Sequence, residues 1–294
     1  MEHVLTLIAD PRRPVLDANT VELVRMAVYA RTPVWLDEGI AADLPLAGLK
    51  PGAATTIARE VLGDRPVDAI VQPAVRRRKK LLVADMESTI IENEMLDELA
   101  DFFGLREQIA AITARAMNGE IDFAAALRER VGLLKGLKTA LLDEAARRIT
   151  YTPGAATLVA TMRDNGGYCA LVSGGFTHFT ALVRRSLGFD VDRANTLLVE
   201  GDRLSGTVAE PILGKEAKLA TLLELSRTRG LSLDDTLAVG DGANDLPMLQ
   251  AAGLGVAFHA KPSVAAAIAA NVRYGDLTAL LYLQGYRRSE FSHA

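Results

Sequence analysis

Leu81-Leu82-Val83-Ala84-Asp85-Met86-Glu87-Ser88-Thr89 is the stretch whose reading decides the fold. Four apolar residues stop abruptly at a carboxylate. A continuous apolar run this short, bounded by polar residues, predicts a strand buried on both faces, which is the habit of parallel sheets. Three later stretches repeat the pattern: Tyr168–Val172, Thr236–Val239 and Gly255–Phe258. Helical stretches lie between them, so the expected architecture is a doubly wound parallel α/β sheet. Residues 92–148 follow the first strand and are almost wholly helical in pattern, predicting a helical cap inserted into the sheet domain. Leu197–Val208, centred on Gly201-Asp202, predicts a small hairpin.

Residues 1–75 form a different zone. Strands are expected at His3–Ile8, Thr32–Leu36 and Val67–Val71, with helices at Asn19–Tyr29 and Thr55–Leu62. That alternation suggests a separate small α/β domain. It contains one histidine, no cysteine and no glycine-rich phosphate loop. Arg76-Arg77-Arg78-Lys79-Lys80 then reads as a solvated linker over 76–80, leaving 81–294 for the larger domain.

Bulk properties narrow the function classes. With 294 residues and 49% of them apolar, the chain can bury two cores. A net charge of −4 gives no reason to expect nucleic acid or an anionic membrane as partner. The single cysteine, Cys169, fits a reducing compartment and a buried apolar role. No leader-like segment and no membrane-length apolar run is evident, so a cytoplasmic location is expected.

In an open parallel sheet, ligands sit at the carboxyl ends of the strands. Three ends here carry suggestive residues: Asp85 to Thr89, Ser173-Gly174-Gly175, and Gly240-Asp241-Gly242-Ala243-Asn244-Asp245. The chemistry that fits is phosphoryl transfer through an aspartyl phosphate, with Asp85 as nucleophile. Glu87, two residues on in an extended segment, faces the same way and is placed for general acid–base work. Asp85, Asp241 and the main-chain carbonyl of Glu87 offer the hard oxygens that Mg²⁺ prefers. Asn244 and Asp245 could orient that shell. Ser173 supplies a hydroxyl and Gly174 an unobstructed amide for phosphate oxygens. A lysine should complete the charge balance, Lys218 or the less suitable Lys215. His178 and His259 have no partner spacing that recommends them.

DMEST, VSGGF, a lysine and GDGANDL, in that order, resemble the haloacid dehalogenase superfamily, and within it the bacterial two-domain phosphoserine phosphatase family. The resemblance runs from about Leu81 to Ala270. It implies that fold, with Mg²⁺ as cofactor, and its lysine spacing selects Lys218, 23 residues before Asp241 (241 − 218 = 23). It further implies that Glu94 binds the ammonium and Arg130 the carboxylate of O-phosphoserine, with Met117 and Phe123 as apolar wall; the substrate zwitterion needs both charges. The first motif departs from the family's Asp-x-Asp, because Glu87 is the second acid. Strand–helix order also likens residues 1–75 to ACT-like regulatory domains, which implies a homodimer through that domain. The implied activity is Mg²⁺-dependent hydrolysis of O-phosphoserine, the last step of serine biosynthesis. Alternatives are the same machinery on phosphothreonine, phosphohomoserine or a sugar phosphate, and an amino-acid-sensing binding protein in which Glu87 has impaired the chemistry.

Overall fold

The chain begins with a strand–helix–strand–strand–helix–strand unit: β1 (His3–Ala9), α1 (Ala18–Ala27), β2 (Val34–Asp37), β3 (Ala41–Pro45), α2 (Pro51–Leu62) and β4 (Val67–Pro73). The computed structural model describes residues 2–117 and 120–292. This first sheet is antiparallel, in the order β2-β3-β1-β4, the split βαβ arrangement of ferredoxin-like units. Asp17 caps α1 by accepting the Thr20 amide at 2.6 Å, and Pro51 opens α2. One face of the sheet packs Leu5, Leu7, Leu44 and Ala69 against Val21, Val24, Ala54 and Ala58 of the two helices.

Strand β3 was not expected from its sequence. Ala-Ala-Asp-Leu-Pro has no β-branched residue and carries an acid at its centre, a composition that reads as a turn. The acid is buried instead: Asp43 accepts from Thr6 Oγ1 at 2.7 Å and from Arg77 at 2.5 Å. Arg77 also donates to the Leu283 and Tyr282 carbonyls, each at 3.0 Å. The expectation of a fully solvated basic segment therefore fails at Arg77, whose partners lie far away along the chain.

The second sheet starts with β5 (Leu81–Ala84). A helical group follows: α3 (Met95–Asp101), α4 (Arg106–Met117), α5 (Phe123–Gly132) and α6 (Ala140–Ala146). Next come α7 (Ala155–Asp164), β6 (Tyr168–Phe176), α8 (Thr177–Leu187), β7 (Val191–Asn195), the hairpin β8 (Leu197–Glu200) and β9 (Arg203–Val208), and α9 (Lys215–Thr228). The chain ends with β10 (Thr236–Gly240), α10 (Leu246–Ala251), β11 (Leu254–Phe258), α11 (Pro262–Ala267), β12 (Ala270–Val272) and α12 (Ala279–Leu283). The six strands are parallel in the order β12-β11-β10-β5-β6-β7.

The buried apolar runs sort by period two. Leu82 and Ala84 face one cluster, shared with Cys169, Leu171, Leu237 and Val239. Leu81 and Val83 face the other, with Ala170, Val172 and Ala238. Each fully buried leucine contributes about 2 kcal/mol, and a one-residue slip would send every one to the wrong layer. The first of these clusters also takes in Ile8, Leu36, Ala41 and Ile70 from the N-terminal sheet, together with the wholly buried α12. Tyr282 donates to Asp37 at 2.6 Å across the same seam. The hairpin joins the helical insert, since Leu204 and residues 136–137 exchange two backbone bonds of 2.8 Å.

Arg77→Met should cost about 3 kcal/mol in urea unfolding, because it leaves Asp43 buried without its cation. A loss below about 1 kcal/mol, the size of an exposed pair, would show that this contact does not hold the seam.

Candidate active site

Strands β5 and β10 are neighbours, so their carboxyl ends deliver Asp85 and Asp241 side by side. Both are buried, 6% and 8% exposed, at the floor of a cleft of about 160 Å³. Lys218, one turn into α9, is 2% exposed and reaches between the strands. Its Nζ lies 2.7 Å from Asp85 and 2.5 Å from Asp245. The second Asp245 oxygen accepts the Gly242 amide at 3.0 Å. Gly240 makes room for this carboxylate, because a Cβ there would lie 2.4 Å from it.

Asp85, Asp241 and Asp245 present oxygens within 4.8 Å of one another. Three buried acids against the one buried ammonium leave an excess of two negative charges (3 − 1 = 2). Lys261 lies 3.8 Å from Asp241 but is largely exposed. Burial, then the Asp245 charge, pushes Asp85 well above the usual carboxylate range against the pull of Lys218. Burial pushes Asp241 up to about 6, with Lys261 opposing. Burial disfavours the charged form of Lys218, but the two aspartates outweigh it and its pKa is raised. Hard oxygens with surplus negative charge suit a divalent cation.

Glu87 occupies the same cleft beside Arg130 and Glu94. Its Oε1 accepts the Met95 amide at 2.9 Å, the first residue of α3. Burial, then the Glu94 charge, pushes its pKa up to about 7. Gly175 lies opposite, where a Cβ would approach Glu87 Oε2 to 2.9 Å and push its carboxylate aside. Glu94 accepts from Ser88 Oγ at 2.7 Å, and Ser88 takes a left-handed φ of 54° to make that contact.

Helix α5 lines the far wall. Asp122 caps it by accepting the Ala125 amide at 2.7 Å, which sets Phe123 at its first position. Phe123, Leu127 and Arg130 then share the face toward the cleft by their spacing of four and seven. The Phe123 ring covers Gly174, where a Cβ would lie 3.3 Å from Cζ. Burial lowers the Arg130 pKa, with Glu87 opposing. Among the described residues no carboxylate lies within ion-pair distance of Arg130, which leaves its charge available to a ligand. Met117 ends α4, and its side chain lies outside the described residues.

Ser173-Gly174-Gly175 was expected after a strand but lies inside β6, as a break in pairing between Val172 and Phe176. Bulges of this kind re-aim side chains. Asn195 holds it from below: Nδ2 donates to the Gly174 carbonyl at 2.9 Å, while Oδ1 accepts the Leu213 amide at 2.8 Å. Ser173 Oγ accepts the Gly175 amide at 2.9 Å and is buried under the cleft. Asn244 lines the opening. His178 pairs with Asp143 and His259 stacks on Phe258; neither lines the cleft. Cys169 is buried in β6, its thiol pushed up to about 12 by burial and then by Asp190.

Sequence reading passed over Lys261, which follows β11 and lines the cleft. Applying the strand-end rule to the fourth run, Gly255–Phe258, would have reached it. Asp245, expected only to orient the metal shell, itself belongs to the acidic cluster and holds Lys218.

The model for haloacid dehalogenase-like hydrolases matches residues 82–250, and the chain belongs to that family. It is similar to the phosphoserine phosphatase of Streptomyces coelicolor, 39% identical over 279 residues, covering 94% of this chain and 66% of that one. The phosphoserine phosphatase of Lactococcus lactis is 43% identical over 203 residues, covering 69% of this chain and 94% of that one. The crystal structure of a family hydrolase from Salmonella enterica serovar Typhi aligns with a TM-score of 0.85 at 30% identity, covering 96% of this chain and 98% of the other. The chain spans two thirds or less of the length of several relatives it matches, the Streptomyces protein among them. Among the described residues no helix is long and apolar enough to cross a membrane.

A divalent cation at about a hundred times its Kd should stabilise the native chain by about 3 kcal/mol, read as a higher unfolding midpoint. Asp241→Asn should remove most of that gain. A midpoint indifferent to millimolar divalent cation would show that the three carboxylates are not a cation site.

Proposed function

We propose that the chain hydrolyses O-phosphoserine to serine and phosphate through an aspartyl phosphate on Asp85, with Mg²⁺ as cofactor. The observation that carries this reading is the carboxylate of Asp85, fixed by Lys218 at 2.7 Å on the floor of a cleft that Glu87 and Arg130 also line. The names of the Streptomyces and Lactococcus relatives point the same way.

One oxygen of Asp85 is engaged by Lys218; the other is the nucleophile. It attacks phosphorus as the bond to the serine oxygen breaks, and Glu87 passes its proton to that leaving oxygen. A pKa near 7 leaves Glu87 able to give that proton and to take one back. In the second step Glu87 accepts a proton from water, which attacks phosphorus and displaces the Asp85 carboxylate. Ser173 Oγ and the Gly174 amide donate to the phosphoryl oxygens. Asp85, Asp241 and the Glu87 carbonyl would hold Mg²⁺, with Asp245 and Asn244 orienting them, and the ion when bound supplies charge neutralisation for the phosphoryl group.

Arg130 binds the substrate carboxylate and Glu94 its ammonium, while Phe123 closes over its carbon backbone. The cleft volume equals that of only a handful of waters, which favours a small substrate. The N-terminal βαββαβ unit is taken as an ACT-like regulatory module through which two cytoplasmic chains pair.

Asp85→Asn should lower kcat about 10⁴-fold or more, measured as phosphate release from O-phosphoserine with Mg²⁺; unchanged turnover would end the covalent mechanism. Arg130→Ala should raise KM for O-phosphoserine about ten- to a hundredfold, the worth of one charge-assisted bond. It should leave p-nitrophenyl phosphate, which has no carboxylate, little affected. Equal effects on both esters would keep the phosphatase and discard the substrate.

A further inference from the structure

A second cavity, of about 180 Å³, lies on the seam between the N-terminal sheet and the parallel sheet, apart from the catalytic cleft. Helix α2 and strand β4 form one wall; the end of β12 forms the other. Three arginines border it, Arg59, Arg65 and Arg273, each an exposed residue. Among the described residues none of the three has a carboxylate within ion-pair distance. Every basic side chain of the catalytic cleft is accounted for by the reaction or by an acidic neighbour; these three have no such employment.

The acid in this cavity does not neutralise them. Asp68 is 4% exposed, and its two oxygens accept the backbone amides of Arg273, Tyr274 and Gly275 at 2.9 to 3.1 Å. Those three bonds fix the turn after β12 against β4 and hold the Arg273 backbone in place. Arg65 is steadied in turn by donating Nη1 to the Leu62 carbonyl at 3.3 Å. Gly63, with φ of 56°, ends α2 between Arg59 and Arg65 and leaves the cavity open on that side. The carboxyl end of α2 carries only about half a negative charge, which three guanidinium groups outweigh.

Asn271 borders the same cavity. It is 3% exposed and belongs to the lining; its Nδ2 donates to the Ala265 carbonyl at 3.1 Å, which fixes the amide orientation, and its Oδ1 has no partner. A buried acceptor without a donor is uncommon in a folded chain.

We infer that this seam cavity is a binding site for a small phosphate- or carboxylate-bearing anion, held by Arg59, Arg65 and Arg273. Planar guanidinium groups match such oxyanions in pairs of bonds. Because the site takes one wall from each sheet, its occupant ties the N-terminal unit to the edge of the catalytic sheet.

The test uses the full chain in metal-free buffer, with pyrophosphate as probe and titration calorimetry as readout. One pyrophosphate should bind per chain. Arg59→Ala combined with Arg273→Ala should weaken it about tenfold or more, while Arg130→Ala, in the catalytic cleft, should not. Basal turnover of p-nitrophenyl phosphate should be unchanged in the double variant. Arg59→Gln alone, on an exposed helix turn, repeats the test with minimal risk to folding and should weaken binding in the same sense. No binding by the native chain at millimolar pyrophosphate, or binding lost in Arg130→Ala and kept in both seam variants, would overturn the site.

Discussion

One buried ammonium, Lys218, sits between two carboxylates that come from different strand ends, and much of the surrounding structure follows from that arrangement. The contact requires β5 and β10 to be neighbours, so that Asp85 and Asp245 can converge on one point. It requires glycine at Gly240, where any Cβ would collide with Asp245. It requires α9 to start where it does, which Asn195 arranges by clamping the Leu213 amide to the bulge in β6. A buried network of this kind holds a single geometry because each unpaired member would be costly. It still falls short of neutrality, and that shortfall is what makes the floor of the cleft a place for a cation rather than a completed salt bridge.

Glu87 stands in a different relation to the fold. It is bonded to the amide that begins α3, so the acid in the cleft and the first helix of the insert share one hydrogen bond. A helix amino terminus favours the ionised carboxylate, yet burial and the Glu94 charge prevail and hold Glu87 near neutrality. The balance depends on the insert being closed: water entering the cleft would weaken the desolvation that keeps the proton on. A glutamate at this position therefore couples proton affinity to the position of the insert.

How much of this was legible in the sequence varies with the kind of interaction. The parallel sheet was legible because continuous apolar runs must be buried on both faces, and Leu81 to Ala84 divide between two clusters as period two demands. The residues that end those runs, Asp85, Gly174, Asp241 and Asn244, lie around one cleft for the same topological reason. Strand β3 was illegible because its central Asp43 is satisfied by Arg77, 34 residues away. The basic run 76–80 gives no local sign that Arg77 turns inward while Arg76 and Arg78 stay exposed. Lys261 was missed because a lysine before a proline reads as a helix entry, which it also is.

Two of these misreadings, Asp43 and Arg77, share a location, the seam between the sheets, where a polar residue from one unit is completed by backbone or side chains of the other, as Asp68 is too. Local pattern is a good guide where burial alone decides, and a poor one where a charge waits for a partner supplied by distant chain. In the catalytic cleft Asp85 and Asp241 largely escape this difficulty, because both end strands of one sheet whose adjacency follows from topology. The seam has no such rule, so its polar residues acquire meaning only when both walls are in place.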